Sequence, residues 1–414
     1  MRVEIRPSRA QGVFHAPPSK SMAHRLLICA GLAQGESVIR NLAFSEDVKA
    51  TIACLRALGT EVRLDGDTAY VTGTDVTQPL GAAALLPCRE CGSTLRFFIP
   101  ICLLSGEERV LTGSDRLMAR PLDVYEEIAR RQGLRFEKAA GQITVQGRLR
   151  GAEYRVPGDI SSQFISGLLF ALPLLTEHSV IRLTPTVESL PYIHMTIAAL
   201  KRFGVTVSLN REAASGDFIL DGLGDSRYLP ADVTVEGDYS NAAFFEALNI
   251  AGSRVSVEGL EEASLQGDKV YKILFEKIKS RDNDAQNPID LSDCPDLGPI
   301  LFAVAALCGG GFFTGTRRLR IKESDRAAAM RQELGKLGIR VEVGENDVVV
   351  HPGALRAPVV PVCGHNDHRI VMAMAVLLTV TGGVIEGAEA VGKSFPDYFD
   401  KLKDLGVNLT DGMD

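Results

Sequence analysis

Six nearly all-apolar stretches divide the chain, and each begins at or just after a polar or charged cluster. The stretches cover residues 22–33, 95–104, 164–175, 242–251, 297–307 and 370–379. The clusters read Ser19-Lys20-Ser21, Cys91-Gly92-Ser93-Thr94, Asp159-Ile160-Ser161-Ser162-Gln163, Gly237-Asp238-Tyr239-Ser240, Asp293-Cys294-Pro295-Asp296 and Asn366-Asp367-His368-Arg369. A helix that is apolar on all sides must be buried. Its first turn still carries unpaired N–H groups and the positive end of the helix dipole. Six such helices predict N-termini gathered around one anion-binding space.

A repeat surrounds them. After each stretch comes a small turn and a β-rich run, at 38–42, 109–111, 180–183, 254–257, 312–314 and 384–386. A polar loop and an amphipathic helix follow, at 51–58, 124–132, 195–203, 328–337 and 398–405. All five helices stop at a glycine, namely Gly59, Gly133, Gly204, Gly338 and Gly406, the usual helix C-terminal signal. The fourth copy, 269–279, lacks it. The unit is helix, strand, helix, strands, repeated six times at about 70 residues each. A chain of 414 residues exceeds one ordinary core, so the expected class is α/β (α+β) in two domains of three units. The boundary is expected near 228–232. The domains are then 19–230, and 1–18 with 231–414, the strand at 1–6 completing the second.

The formal net charge is −7, with 45% apolar and 23% charged residues. That balance argues against general nucleic-acid or membrane-surface binding. The first residues carry no signal-peptide core, and no apolar run has bilayer-spanning length. Cys88 and Cys91 form a lone C-x-x-C without a second ligand pair at zinc spacing, so neither metal nor cofactor is expected. The eight cysteines fit a reducing, cytoplasmic setting. No Walker loop, dinucleotide fingerprint or nucleophile elbow occurs.

Against the acidic background, Lys20, Arg25, Arg120, Lys322, Arg326, Arg369 and Lys393 form a candidate cationic set. Arginine grips phosphate or carboxylate with two bonds and lysine adds a mobile charge. Ser161 and Ser162 add neutral donors. Glu323, beside Lys322, and Asp296, in a cluster flanked by Pro295, are the candidate proton carriers. Taken singly, Ser19, Ser161 and Asp296 fit ordinary N-caps equally well, and Lys322 with Arg326 a solvated helix face. Recurrence at equivalent positions of the repeat favours function.

Residues 18–25 (Pro-Ser-Lys-Ser-Met-Ala-His-Arg), Arg120-Pro121-Leu122, Ser161-Ser162-Gln163-Phe164, Lys322-Glu323-Ser324-Asp325-Arg326, Asn366-Asp367-His368-Arg369 and Phe395-Pro396-Asp397-Tyr398 resemble the signature segments of the EPSP synthase family. The resemblance implies a two-domain inside-out α/β barrel, each domain three βαβαββ units, with the active site in the interdomain cleft. It also implies metal-free transfer of the enolpyruvyl group of phosphoenolpyruvate to the 5-hydroxyl of shikimate 3-phosphate, by a monomer. Ser21, Arg25, Ser161, Ser162, Ser189, Tyr192 and Asp296 would hold shikimate 3-phosphate. Lys20, Gly92, Arg120, Gln163, Arg326, Arg369 and Lys393 would hold phosphoenolpyruvate. Lys20 and Gln163 would touch both, and Lys322 the shikimate moiety. Asp296, Lys322, Glu323 and Lys20 would carry the chemistry. Retention of Gly92 implies that glyphosate competes with phosphoenolpyruvate.

Two departures stand out. Glu90-Cys91-Gly92-Ser93 replaces the Asn-Ala-Gly-Thr of many members, and Arg318 replaces an asparagine that contacts the shikimate phosphate in some. The alternative enzyme, UDP-N-acetylglucosamine 1-carboxyvinyltransferase, typically has Lys-Asn at positions 20–21 and a loop cysteine near Arg120. Here no cysteine lies between Cys102 and Cys294. A non-catalytic anion-binding protein on the same fold is the other alternative.

Overall fold

Each apolar stretch folds as a helix buried on nearly all sides: Lys20–Leu32, Gly92–Cys102, Ser162–Ala171, Tyr239–Ile250, Gly298–Cys308 and His368–Thr381. Most begin ahead of the apolar run, because the polar cluster supplies the cap and first turn. Ser19 Oγ accepts from the Met22 N–H at 3.4 Å, Cys91 Sγ from Thr94 at 3.4 Å, and Ser161 Oγ from Gln163 at 3.4 Å. Asp238 and Asp367 cap their helices at 2.8 and 3.0 Å. Gly298–Cys308 has no side-chain cap; a 3-10 turn, Pro295–Leu297, leads into it.

The computed structural model describes residues 1–81 and 84–412. The chain forms two units, Pro18–Glu236 and a second that joins Met1–Pro17 to the chain from Gly237 onward. Each has its own hydrophobic core.

In the first unit three sheets share one strand order. Ala84–Arg89 lies parallel to Arg109–Gly113, which pairs antiparallel with Gln142–Gln146, and that strand with Arg135–Ala139. The parallel step needs a crossover, and the buried helix provides it; the last two strands form a hairpin. Glu153–Val156, Ser179–Leu183, Phe218–Leu223 and Ser208–Arg211 repeat the order. So do Asp232–Thr234, Gly35–Arg40, Thr68–Gly73 and Glu61–Asp65. The short strand Asp232–Thr234 therefore belongs to the first unit, beyond the boundary expected at residue 230. Three residues show no readable alternation, and their pairing partner lies far back in the chain.

The second unit follows the same order with Ile289–Asp290, Gly311–Thr314, Asp347–Val350 and Val341–Val343. Its last sheet runs Val362–Cys363, Gly383–Glu386, Arg2–Ile5 and Leu409–Gly412, so the first strand of the chain fills the third place. Gln11–His15 pairs with Arg254–Glu258 as a two-stranded sheet. That copy contains the helix Tyr271–Lys279, which ends at Ser280 without a glycine. Phe14 from the N-terminal segment stacks on Phe245 at 3.5 Å. Among the described residues, no helix is long and apolar enough to cross a membrane.

Candidate active site

In the second unit the charges converge on Asp296. The 3-10 turn holds this carboxylate at the entry to Gly298–Cys308. Arg326 Nη1 donates to its Oδ1 at 2.8 Å, with Lys322 Nζ 3.2 Å from the same oxygen. Arg369 Nη2 donates to its Oδ2 at 3.1 Å, and Nη1 to the Asp296 carbonyl at 3.1 Å. Arg326 opens the helix Arg326–Lys336 and is only 1% exposed. It also donates to Glu323 Oε2 at 2.7 Å and to Asp367 Oδ2 at 2.9 Å. One guanidinium thus holds three carboxylates. Ser324 Oγ donates to Asp367 at 2.9 Å.

Burial works to raise the Asp296 carboxyl, but Arg369, Lys322 and Arg326 hold it well below the ordinary range. Burial lowers the Lys322 ammonium, opposed by Asp296. Burial also opposes charge on Arg326, yet Asp367, Glu323 and Asp296 carry it above its ordinary value.

Lys393 Nζ donates to the Asn366 carbonyl at 2.7 Å. His365 and Asn366 both adopt left-handed backbone, with φ of 49° and 52°. Buried Glu333 holds this turn, accepting from the Cys363 N–H at 2.9 Å and lying 2.7 Å from His365 Nε2. Arg318 donates to the Ser292 carbonyl and is buried.

Asp268 is buried and accepts a hydrogen bond from Ser240 Oγ. Burial first, and then the Asp296 charge, push its carboxyl up to about 7. The native state therefore favours the protonated acid. That contribution to stability is full below the unfolded value of about 4 and is lost as pH rises through about 7. Asp268→Asn should melt close to the parent at about pH 5 and above it at about pH 8. An equal difference at both values in thermal unfolding would contradict this.

In the first unit Arg25, on the helix Lys20–Leu32, is the buried centre. Its Nε donates to Thr196 Oγ1 at 2.9 Å, Nη1 to the Ser21 carbonyl at 2.7 Å and Nη2 to the Tyr192 carbonyl at 3.2 Å. Burial depresses it to about 10. Lys20 Nζ donates to Asp47 Oδ2 at 2.9 Å. Neighbouring His24 is kept neutral by burial and by the charges of Lys20 and Arg25.

Gln163 Nε2 donates to Ser93 Oγ at 3.0 Å, and its Oε1 accepts from Arg96 Nη1 at 2.7 Å. Gly92 opens its helix directly under Arg120. An added Cβ there would fall on Arg120 Nη1 and lie 3.7 Å from Gln163 Oε1. Arg120 Nε is buried without a hydrogen-bond partner among the described residues. Ser161 caps the helix that Ser162 opens, and Ser189, with φ of 58°, precedes the helix Leu190–Arg202 carrying Tyr192.

The first unit thus brings together Ser21, Arg25 and Tyr192, and separately Gly92, Arg120 and Gln163. The second joins Asp296, Lys322, Glu323, Arg326 and Arg369. Sequence reasoning passed over Arg96, Asp47 and Thr196, and gave Asp367 no role beyond its polar cluster. Arg96 had a signal, being the one charge inside its apolar stretch. The others hold cations in place, and nothing local marks that role.

Buried guanidinium and ammonium groups near helix starts, with serine donors beside them, define a protein suited to small, multiply charged anions. The chain belongs to the EPSP synthase (3-phosphoshikimate 1-carboxyvinyltransferase) family, whose model matches residues 5–402. It is 38% identical over 427 residues to the 3-phosphoshikimate 1-carboxyvinyltransferase of Clostridium kluyveri, covering 98% of each chain. It is 39% identical over 428 residues to that of Clostridium botulinum, again covering 98% of each. The fold resembles the solved EPSP synthase of Acinetobacter baumannii, with a TM-score of 0.76, 21% identity and 99% of each chain covered.

Proposed function

We propose that this chain transfers the enolpyruvyl group of phosphoenolpyruvate to the 5-hydroxyl of shikimate 3-phosphate. The observation that carries the reading is Asp296, an ionised carboxylate held within 3.2 Å of the Lys322 ammonium and bonded to Arg326 and Arg369. Ser21, Arg25, Ser161, Ser162, Ser189 and Tyr192 bind shikimate 3-phosphate. Gly92, Arg120, Arg326, Arg369 and Lys393 bind phosphoenolpyruvate. Lys20 and Gln163 bind both substrates.

Asp296, with Lys322, takes the proton of the 5-hydroxyl as its oxygen attacks the enol carbon. Glu323 delivers a proton to the methylene carbon, making a methyl group. The tetrahedral intermediate collapses when Glu323 takes that proton back and the C–O bond to phosphate breaks. The surrounding cations stabilise the charge that develops on the leaving phosphate.

The proposal extends to an inside-out α/β barrel of three βαβαββ repeats in each domain, supported by the strand order of the five four-stranded sheets and the buried helices. It also takes in a monomer, and a reducing cytoplasmic setting supported by eight cysteines that are free among the described residues.

The test is phosphate release from phosphoenolpyruvate with either shikimate 3-phosphate or UDP-N-acetylglucosamine. Release with the first alone is expected; release with the nucleotide sugar alone would replace the acceptor. Gly92→Ala should raise the KM for phosphoenolpyruvate about tenfold or more, because Arg120 must move, and leave that for shikimate 3-phosphate nearly unchanged. Glyphosate should compete with phosphoenolpyruvate in the parent protein. Turnover unaffected by high glyphosate would contradict the assignment of this edge.

A further inference from the structure

Cys88 and Cys91 separate in the fold. Cys88 Sγ lies 4.0 Å from Cys54 Sγ. Cys91, at the cap of Gly92–Cys102, turns the other way, and its Sγ is 3.9 Å from His24 Nε2. Asp47 completes a cluster: one donor atom each from His24, Asp47 and Cys91 lie within 4.8 Å of one another, and all three residues are buried. Tetrahedral zinc bonds of about 2.0 Å to nitrogen and 2.3 Å to sulfur put their donors about 3.5 Å apart. A small inward shift therefore closes this cluster on an ion.

The outer support is already built. His24 Nδ1 lies 2.7 Å from Thr51 Oγ1, which lies 2.8 Å from Thr94 Oγ1. With Nδ1–H donating to Thr51, the Nε2 lone pair faces Cys91, the arrangement that orients a metal-binding imidazole.

We propose that His24, Asp47 and Cys91 form a binding site for a soft divalent cation of the zinc class. The nitrogen–sulfur pair selects such ions over magnesium or calcium, and the single carboxylate completes three protein ligands with water in the fourth place. On binding, the hydrated ion sheds waters, a metal–sulfur bond forms and the Cys91 thiol proton passes to water.

Occupancy acts on Lys20. Its ammonium donates to Asp47 Oδ2 at 2.9 Å, and an ion bound by Asp47 would place a second positive charge on the same carboxylate. The flexible lysine stem then swings away. Fixing Cys91 also fixes Gly92, next in the chain, under Arg120. The ion is thus an inhibitor directed against phosphoenolpyruvate. This consequence rests on the proposed role of Lys20; the site itself does not.

The test is a titration of the metal-stripped full-length protein with Co²⁺, reading the near-ultraviolet thiolate-to-cobalt charge-transfer band. The band should saturate at one equivalent, vanish in Cys91→Ser, whose hydroxyl keeps the helix cap, and survive in Cys88→Ser. A band that persists in Cys91→Ser, or is lost in Cys88→Ser, overturns the site. Zn²⁺ should then raise the apparent KM for phosphoenolpyruvate about tenfold in the parent protein and not in Cys91→Ser. The cobalt pattern without the KM change would keep the site and overturn its coupling to Lys20.

Discussion

Replacing Asp296 by asparagine should lower kcat by about 10²–10⁴-fold, the range for loss of a general base. The amide keeps the size of the side chain but cannot accept the hydroxyl proton. It also removes the negative charge shared by Arg326, Lys322 and Arg369. Those cations then face incoming anions with less competition, so the KM for phosphoenolpyruvate should not rise. A fall in kcat without a rise in that KM separates a base from a binding residue. The same variant should be less stable. The Asp296 carboxyl is depressed in the folded state, so its stabilising contribution is present above the unfolded value of about 4 and disappears as pH falls through the depressed one. The gap in melting temperature between parent and Asp296→Asn should therefore be full near neutrality and shrink below about pH 4. A kcat within about threefold of the parent would remove Asp296 from the base role.

Arg326→Ala should produce the largest loss of stability. Its guanidinium bonds to Asp296, Glu323 and Asp367, and Asp367 is wholly buried. Removing one partner of a buried ion pair costs about 3–5 kcal/mol, because the remaining charge has no solvent. For a unit of this size that corresponds to a fall of about 10 °C in melting temperature. Arg326→Lys should recover only part of it, since an ammonium cannot span three carboxylates. Adding Asp367→Asn to Arg326→Ala should restore stability, as it deletes the stranded charge. Thermal or denaturant unfolding checks this. A loss below about 1 kcal/mol, or no rescue by the second change, would show that the carboxylates find other partners.

Much of this architecture is readable along the chain. An uninterrupted apolar run longer than a strand has few fates in water, so the six buried helices follow from composition alone. Five of the six starts lie earlier than the apolar residues because the cap is polar: Ser19, Cys91 and Asp367, for example, each accept a backbone N–H. Capping does not compete with a binding role, since the same residue type serves both. The strands less easily read are the short ones paired over long separations. Asp232–Thr234 is recognisable only once Val38–Arg40 lies beside it. The missing glycine after 269–279 coincides with the one two-stranded sheet among the described residues.

In the site, cations were visible because they recur at helix starts. Their holders were not, because Asp47 and Thr196 matter through Lys20 and Arg25, which lie remote in sequence. The metal cluster is an extreme case. The C-x-x-C spacing draws attention to Cys88, while Cys91 finds its partners on other elements.

The first and last strands lie side by side, with Arg2 opposite Gly412 and Ile5 opposite Leu409. Residues 2 and 412 are therefore close enough to be sewn together by a short linker, and the chain could be reopened between Pro17 and Pro18. In that circularly permuted order each unit would be one uninterrupted segment: 18–236, then the chain from Gly237 through the new joint to Pro17. Each unit, with its own hydrophobic core, would then be encoded without interruption, whereas the present order inserts one unit into the other.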